Sequence, residues 1–415
     1  VFLGHFAVYG TLALVLYNAG VFYQYNVFFD TDPPRYLGAF AHGWQRPDWI
    51  HSIPSAISFP IRAIAALLGR LPGFGDPVRT RELLALGIAP LTGAGYALLL
   101  YSIGRVLDLE RRAAAALLLL SSTSVAGVVF FSTPESYGLS ALVALAACWL
   151  ALRSLRRGER PPYGKWAILT AAAGAVTITE AASVALLYAA VQYTRSRRLR
   201  STVLRAVGLV LLAVLLCGLG GAGIRRVYRY PGGGAADAEP GLLQQAVTFQ
   251  SEFAPRDLGA QLLEVAALPV MTVLAPEPRW IRYDAAVERQ WRHQHRFTFA
   301  GVRPIILALA ALSLALAALA GWHLLRPGTG FRSDPVAQTG GLACLGIGVA
   351  QSALHLVFGR EPFLYAMHFQ PMVLVLIALA LRRARPGSGP FVASGLVALA
   401  ALNVVIVSRM LRLLI

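Results

Sequence analysis

Long apolar runs, each close to the length of a membrane span and separated by arginine clusters, constrain this chain more than any other feature. A spanning helix needs about 20 predominantly apolar residues. Runs at roughly 5–27, 83–104, 113–131, 137–152, 203–222, 304–325, 338–358, 370–381 and 390–408 approach that requirement. Composition agrees: 57% of residues are hydrophobic and 14% are charged, where a soluble domain carries about 25% charged residues. A chain of 415 residues with so little polar surface cannot cover a water-facing globule. The expectation is an all-α polytopic membrane protein, a single domain over 1–415, with about 11 transmembrane helices including one short hairpin.

Arginine sets the expected orientation. The chain has 37 basic and 20 acidic residues, a formal charge of +17, and Lys165 is its one lysine. The basic residues fall between apolar runs, in Arg105/Arg111/Arg112, Arg153/Arg156/Arg157/Arg160/Lys165, Arg195/Arg197/Arg198/Arg200/Arg205, Arg326/Arg332 and Arg382/Arg383/Arg385. Short loops rich in arginine stay cytoplasmic, so this charge reads as membrane topology and not as a nucleic-acid footprint. The opposite short loops, 132–136 and 359–369, carry only Arg360. Use of arginine in place of lysine suits a high-GC bacterium. The expected location is therefore a bacterial inner (plasma) membrane, with the working face periplasmic or extracellular.

Region 166–193 has basic flanks on both sides, so it must enter the membrane and return. Two helices of about 13 residues rise only about 20 Å each, short of a hydrocarbon core about 30 Å thick. A short helical hairpin is expected, turning at Thr177-Ile178-Thr179-Glu180 and either covered by protein or lining a cavity. Glu180 is then a cavity-lining carboxylate or an interfacial turn residue.

Two long loops fall on the face opposite the arginines. The first, 28–82, holds an interrupted apolar stretch, 54–68, that reads as an interfacial helix. The second, 223–303, begins with Pro231-Gly232-Gly233-Gly234 and continues through an amphipathic stretch, 241–275, to a basic-aromatic run from Trp280 to Arg296. Cys148, Cys217 and Cys344 lie inside apolar runs with no metal or disulfide spacing and read as small hydrophobes. His5, His323 and His355, in or beside apolar runs, read as packed or interfacial. His293 and His295 sit among Arg289, Arg292 and Arg296, which suits lipid headgroups, an anionic ligand or a solvated face better than a metal cation. The chain opens on Val1, and residues ahead of it are expected.

Polar residues from distant parts of the chain are expected together on that same face. Asp30, Asp32, Arg35, Tyr36, His42 and His51 come from the first long loop; Glu135 and Tyr137 flank Ser136 in a very short one. Glu180 tips the hairpin, and Arg360, Glu361, Tyr365 and His368 precede a later span. Each cluster alone can be a helix end, but together they point to a binding or catalytic cavity. A carboxylate beside an acceptor hydroxyl serves as general base, and the guanidinium fork suits a phosphate.

Asp32-Pro33-Pro34-Arg35-Tyr36 after a first span, followed by His51-Ser52-Ile53-Pro54, resembles motifs of the C-type (GT-C) membrane glycosyltransferase superfamily. The nearest group in motif is that of protein O-mannosyltransferases and lipid A aminoarabinose transferases. The sharp motifs cover only 28–62. Pro33 stands where the family's acidic pair has Glu, and Asp30 is an extra carboxylate. The resemblance implies transfer of a sugar from a polyprenyl-phosphate donor to an acceptor hydroxyl by inverting displacement on the outer face. It implies Asp32, with Asp30 as rival, as the base, and Arg35 and Arg360 as contacts to the donor phosphate. Tyr36, His51, Glu135, Tyr137, Glu180, Glu361, Tyr365 and His368 would line the cavity. No cofactor is required on this reading; if a divalent cation such as Mg²⁺ or Mn²⁺ is used, Asp30 and Asp32 are its ligands. Partners are the lipid-linked donor, membrane lipids and an acceptor left open between lipid, glycan and protein. The competing classes are a transporter or flippase of a lipid-linked or anionic substrate, and a non-catalytic assembly subunit.

Overall fold

The computed structural model describes residues 1–23, 27–29, 33–42, 52–71, 76–227, 258–283, 294–299, 303–325, 334–358, 362–383 and 389–415. In chain order the helices are α1 (Phe2–Asn18), α2 (Pro33–His42), α3 (Ser52–Leu68), α4 (Pro77–Leu86), α5 (Ile88–Val106), α6 (Arg111–Thr123), α7 (Val125–Ser132) and α8 (Tyr137–Arg157). They continue as α9 (Tyr163–Val176), α10 (Ile178–Ser196), α11 (Leu199–Val227), α12 (Leu258–Met271), α13 (Arg303–Leu325), α14 (Pro335–Phe358), α15 (Ala366–Arg383) and α16 (Gly389–Leu414). Short 3₁₀ turns cover Val21–Tyr23 and Pro362–Tyr365, and strands β1 (Arg279–Tyr283) and β2 (Gln294–Thr298) pair antiparallel.

Among the described residues, seven helices are long and apolar enough to cross a membrane, or eight if the bent α6–α7 pair is one span. A count of about 11 is not confirmed among these residues: α1 and α9, at 17 and 14 residues, fall short of a full span, and α10 is not among the helices that qualify. Exposure follows solvent identity. Leu204, Leu211 and Leu219 on α11, and Leu307, Leu314 and Leu319 on α13, are exposed apolar side chains that water would penalise and lipid would not.

The hairpin is present. Trp166 and Tyr163 on α9 meet Tyr188 on α10, at ring-centroid distances of 5.7 and 5.9 Å. The two helices therefore run back along one another from the break at Thr177. At 1.5 Å per residue α9 rises only about 21 Å, as expected, whereas α10, with 19 residues in place of about 13, rises about 28 Å, so one arm alone is short.

The arginine-bearing loops gather at one end of the bundle. Arg156 donates to the Val106 carbonyl and pairs with Asp108, and Arg195 donates to the Leu155 carbonyl. Thr194 meets Thr339 at 3.0 Å, and Asp334 holds Arg382 and Arg383 at 3.1 and 2.9 Å. Partly exposed pairs of this kind contribute little each, but they fix which helix ends lie together. The opposite ends of α8, α10, α14 and α15 therefore converge about 30 Å away.

Two helix breaks inside the apolar body are satisfied by side chains, as backbone groups out of reach of water must be. Ser124 separates α6 from α7 at a 63° bend; its Oγ donates to the Ser121 carbonyl and accepts from Gly127 N. Gln370 on α15 donates through Nε2 to both Ser124 Oγ and the Thr272 carbonyl just past α12. Asn403 on α16 donates to the Val273 carbonyl at 2.7 Å. One buried amide thus holds both breaks.

Close helix approach depends on missing side chains. A Cβ on Gly93 of α5 would lie 2.7 Å from Phe131 Cβ and 2.8 Å from Tyr9 Cδ2. Those atoms belong to ring side chains that are almost fully buried, so the neighbours have no room to yield. Gly93→Val should therefore destabilise the α1–α5–α7 contact by about 1–3 kcal/mol, the usual cost of overpacking. Thermal unfolding of the detergent-solubilised protein checks this: a clear drop in the midpoint is expected, whereas an unchanged midpoint contradicts the packing.

Candidate functional site

At the end opposite the arginines, side chains from separate elements meet in one polar group. Helix α2 starts with Pro33-Pro34, whose fixed φ suits a helix's first turn. That start orients Tyr36 inward, nearly buried, while Arg35 on the same helix is exposed. Ser136 Oγ donates to Tyr36 OH at 3.0 Å, tying α2 to the short 133–137 loop. Glu135 in that loop is buried, and its Oε2 accepts from Ser136 N at 3.3 Å.

Tyr137, the first residue of α8, carries the group onward. Its ring packs against Tyr365 at 5.9 Å and against His368 at 5.7 Å. His368 is in the first turn of α15, and its Nδ1 lies 3.4 Å from Glu180 Oε1, within ion-pair range but outside hydrogen-bond geometry. Glu180 occupies the first turn of α10, where a carboxylate complements the helix dipole. It is almost completely buried and accepts from Gln351 Nε2 at 3.0 Å. Gln351 Nε2 also donates to Ser183 Oγ at 2.8 Å. His355, one turn after Gln351 on α14, stacks on Tyr365 with centroids 4.1 Å apart and lies 5.3 Å from the His368 ring. Gln261 on α12 donates to the His355 and Leu356 carbonyls, covering groups that the end of α14 leaves open.

Six of the residues singled out from the sequence thus form a contiguous group: Tyr36, Glu135, Tyr137, Glu180, Tyr365 and His368. The alternatives for Glu180 resolve toward burial. Asp30, Asp32, His51, Arg360 and Glu361 lie outside the described residues. Sequence reasoning missed Gln351, Ser183 and the site role of His355. Their signal was the Gln351/His355 spacing of four on one face of an apolar helix. Among the described residues, no group of three or more His, Cys, Asp or Glu side chains has the arrangement to hold a metal ion.

The residues just before the acidic motif are firmly anchored. Phe28 bridges to Phe297 of β2; Phe297 N donates to the Val27 carbonyl at 2.9 Å, and Phe29 N donates to the Phe297 carbonyl at 3.3 Å. Phe29 stacks on Phe299 at 4.8 Å and packs on Phe363 at 4.5 Å. Its φ is 51°, a left-handed conformation that a bulky residue adopts only when its surroundings hold it there. The strand pair, the 3₁₀ turn before α15 and the lead-in to Asp30 are therefore one packed unit.

No protein-family model and no curated protein matches this chain.

The Tyr36–Ser136 hydrogen bond is a direct link between α2 and the buried loop. Ser136→Ala removes it at a cost of about 1 kcal/mol and should loosen α2 more than the rest of the chain. Hydrogen exchange checks this: faster exchange confined to 33–42 is expected, and exchange unaltered there would show that other contacts hold α2.

Proposed function

We propose that this protein is a membrane glycosyltransferase. It moves a sugar from a polyprenyl-phosphate donor to an acceptor hydroxyl on the outer face of the membrane. One observation carries the reading: the helix that starts one residue after Asp32 is bonded through Tyr36 to Ser136, beside buried Glu135. That loop joins Tyr137, Tyr365, His368 and Glu180 at the same end of the bundle. Helix α2, which follows the acidic motif in sequence, is thus joined to a polar, aromatic-lined group among the helices, the setting expected of a buried active site.

In this mechanism Asp32, with Asp30 as rival, takes the proton from the acceptor hydroxyl. The oxygen attacks the anomeric carbon with inversion as the lipid phosphate leaves from the opposite face. Phosphate leaves without a general acid, so one base suffices, unlike glycoside hydrolysis with its two carboxylates. Arg35, exposed on α2, and Arg360 are the groups assigned to the phosphate. If a divalent cation takes part, Asp30 and Asp32 supply its oxygen ligands. A carboxylate and histidines gathered at one end of the bundle, with the arginine contacts at the other, suit an enzyme of one membrane side.

A second reading, a transporter or flippase of a lipid-linked or anionic substrate, draws on the enclosure of Glu180, His355 and His368. Ionisable side chains buried among spanning helices also mark substrate or proton paths.

Asp32→Asn separates the two. In proteoliposomes supplied with polyprenyl-phosphate sugars, the variant should lose at least about a hundredfold in transfer rate, the lower range for removal of a general base. Asp30→Asn, run in parallel, should lose much less if Asp32 is the base. Wild-type transfer by both variants would overturn the assignment, and movement of intact lipid-linked substrate without sugar transfer would favour the transporter.

A further inference from the structure

The group around Glu180 contains more hydrogen-bonding capacity than the protein uses. Glu180, His355, His368 and Gln351 are 1%, 2%, 2% and 3% exposed, so bulk water does not serve them. Glu180 Oε2, Gln351 Oε1, both ring nitrogens of His355 and Nε2 of His368 nonetheless have no hydrogen-bond partner among the described residues. Leaving such a buried atom unpaired costs about 1–3 kcal/mol, and native proteins pair nearly all of them. Several unpaired atoms in one cluster imply a bound species that is polar and fits between these helices.

Its chemistry can be read from the donors and acceptors. A neutral imidazole offers one donor and one acceptor, the glutamine oxygen only accepts, and a carboxylate oxygen accepts. The cluster therefore asks for groups that donate and accept at the same atom. Hydroxyl groups meet the requirement. The apolar side of the ligand is also provided for, because the half-buried rings of Tyr137 and Tyr365 stand against His368 and His355. A ring bearing several hydroxyls, with C–H faces between them, matches both surfaces.

We propose that Glu180, Gln351, His355 and His368 form a recognition site for the hydroxyl groups of a sugar, with Tyr137 and Tyr365 against its ring. The proposal rests on the transferase reading only in taking that sugar to be the glycosyl part of the lipid-linked donor. These four residues then select the sugar, while the acidic motif and the arginines act on the acceptor and the phosphate.

The test measures binding to the purified full-length chain in nanodiscs with three kinds of probe: sugar-free polyprenyl phosphate, a panel of polyprenyl-phosphate sugars, and free methyl glycosides. At least one glycosylated lipid should bind about tenfold or more tighter than the sugar-free lipid, the scale of one or two hydrogen bonds made to buried groups. In Glu180→Gln and His355→Gln that ratio should fall below about threefold, because each replaces an acceptor or donor at an atom aimed at the ligand. Thermal unfolding without ligand serves as the folding control. Both substitutions conserve polarity, so at least one should fold.

A ratio still near tenfold in both variants overturns the site. Equal wild-type affinity for bare and glycosylated lipid overturns it too, while leaving a lipid-phosphate enzyme intact. Binding of methyl glycosides that is lost in the variants, without binding of any polyprenyl phosphate, supports the site and overturns the donor assigned above. No binding of any probe overturns both.

Discussion

A helical hairpin whose first arm is too short to cross a membrane shapes the arrangement of the polar end. Helix α9 rises about 21 Å, so the break at Thr177 falls within the bundle and brings Glu180 in with it. A carboxylate taken out of water must find hydrogen bonds or lose much of its charge. Gln351 supplies one bond, and His368 stands at 3.4 Å. Helices α8, α10, α14 and α15 meet around this point, and contacts of Arg195, Thr194 and Asp334 join their far ends. The hairpin's length and the arginine-rich end together determine which side chains can meet.

Much of this was legible in the sequence. Arginine clusters between apolar runs marked one end of the bundle, and Arg156, Arg195 and Arg383 do meet carbonyls and carboxylates of neighbouring loops there. Basic flanks on both sides of 166–193 required the chain to turn back, and a reversal at the middle of that region gave Glu180 its position. Tyr36, Glu135, Tyr137, Tyr365 and His368 were identifiable because polar residues cluster where apolar runs end.

Other features were hidden for physical reasons. The bend at Ser124 has no proline; it combines a local cap, Ser124 Oγ accepting from Gly127 N, with a bond from Gln370, more than two hundred positions away in the chain. The capping serine is a local signal, but the tertiary contact that completes the break is not. Gln351 and His355 were hidden differently: a single polar residue in an apolar helix is most often packed or interfacial. Only their shared helix face, together with Glu180 from another helix, turns them into a site. The spacing was visible, but the partner was not.

Phe29 shows how the anchoring before the acidic motif constrains any mechanism. A bulky residue at φ 51° is costly, of order 1–3 kcal/mol, unless neighbours over-determine it. Here a backbone hydrogen bond to Phe297 and ring contacts with Phe299 and Phe363 provide that support. Phe363 belongs to the 3₁₀ turn that leads into Tyr365 and His368. A displacement of that turn is therefore felt both at the entrance to the acidic motif and at the histidine beside Glu180. The buried cluster and the backbone that leads into the acidic motif are thus coupled through one aromatic packing unit. On the transferase reading proposed above such coupling matters, because a base is useful only when the sugar is already in position.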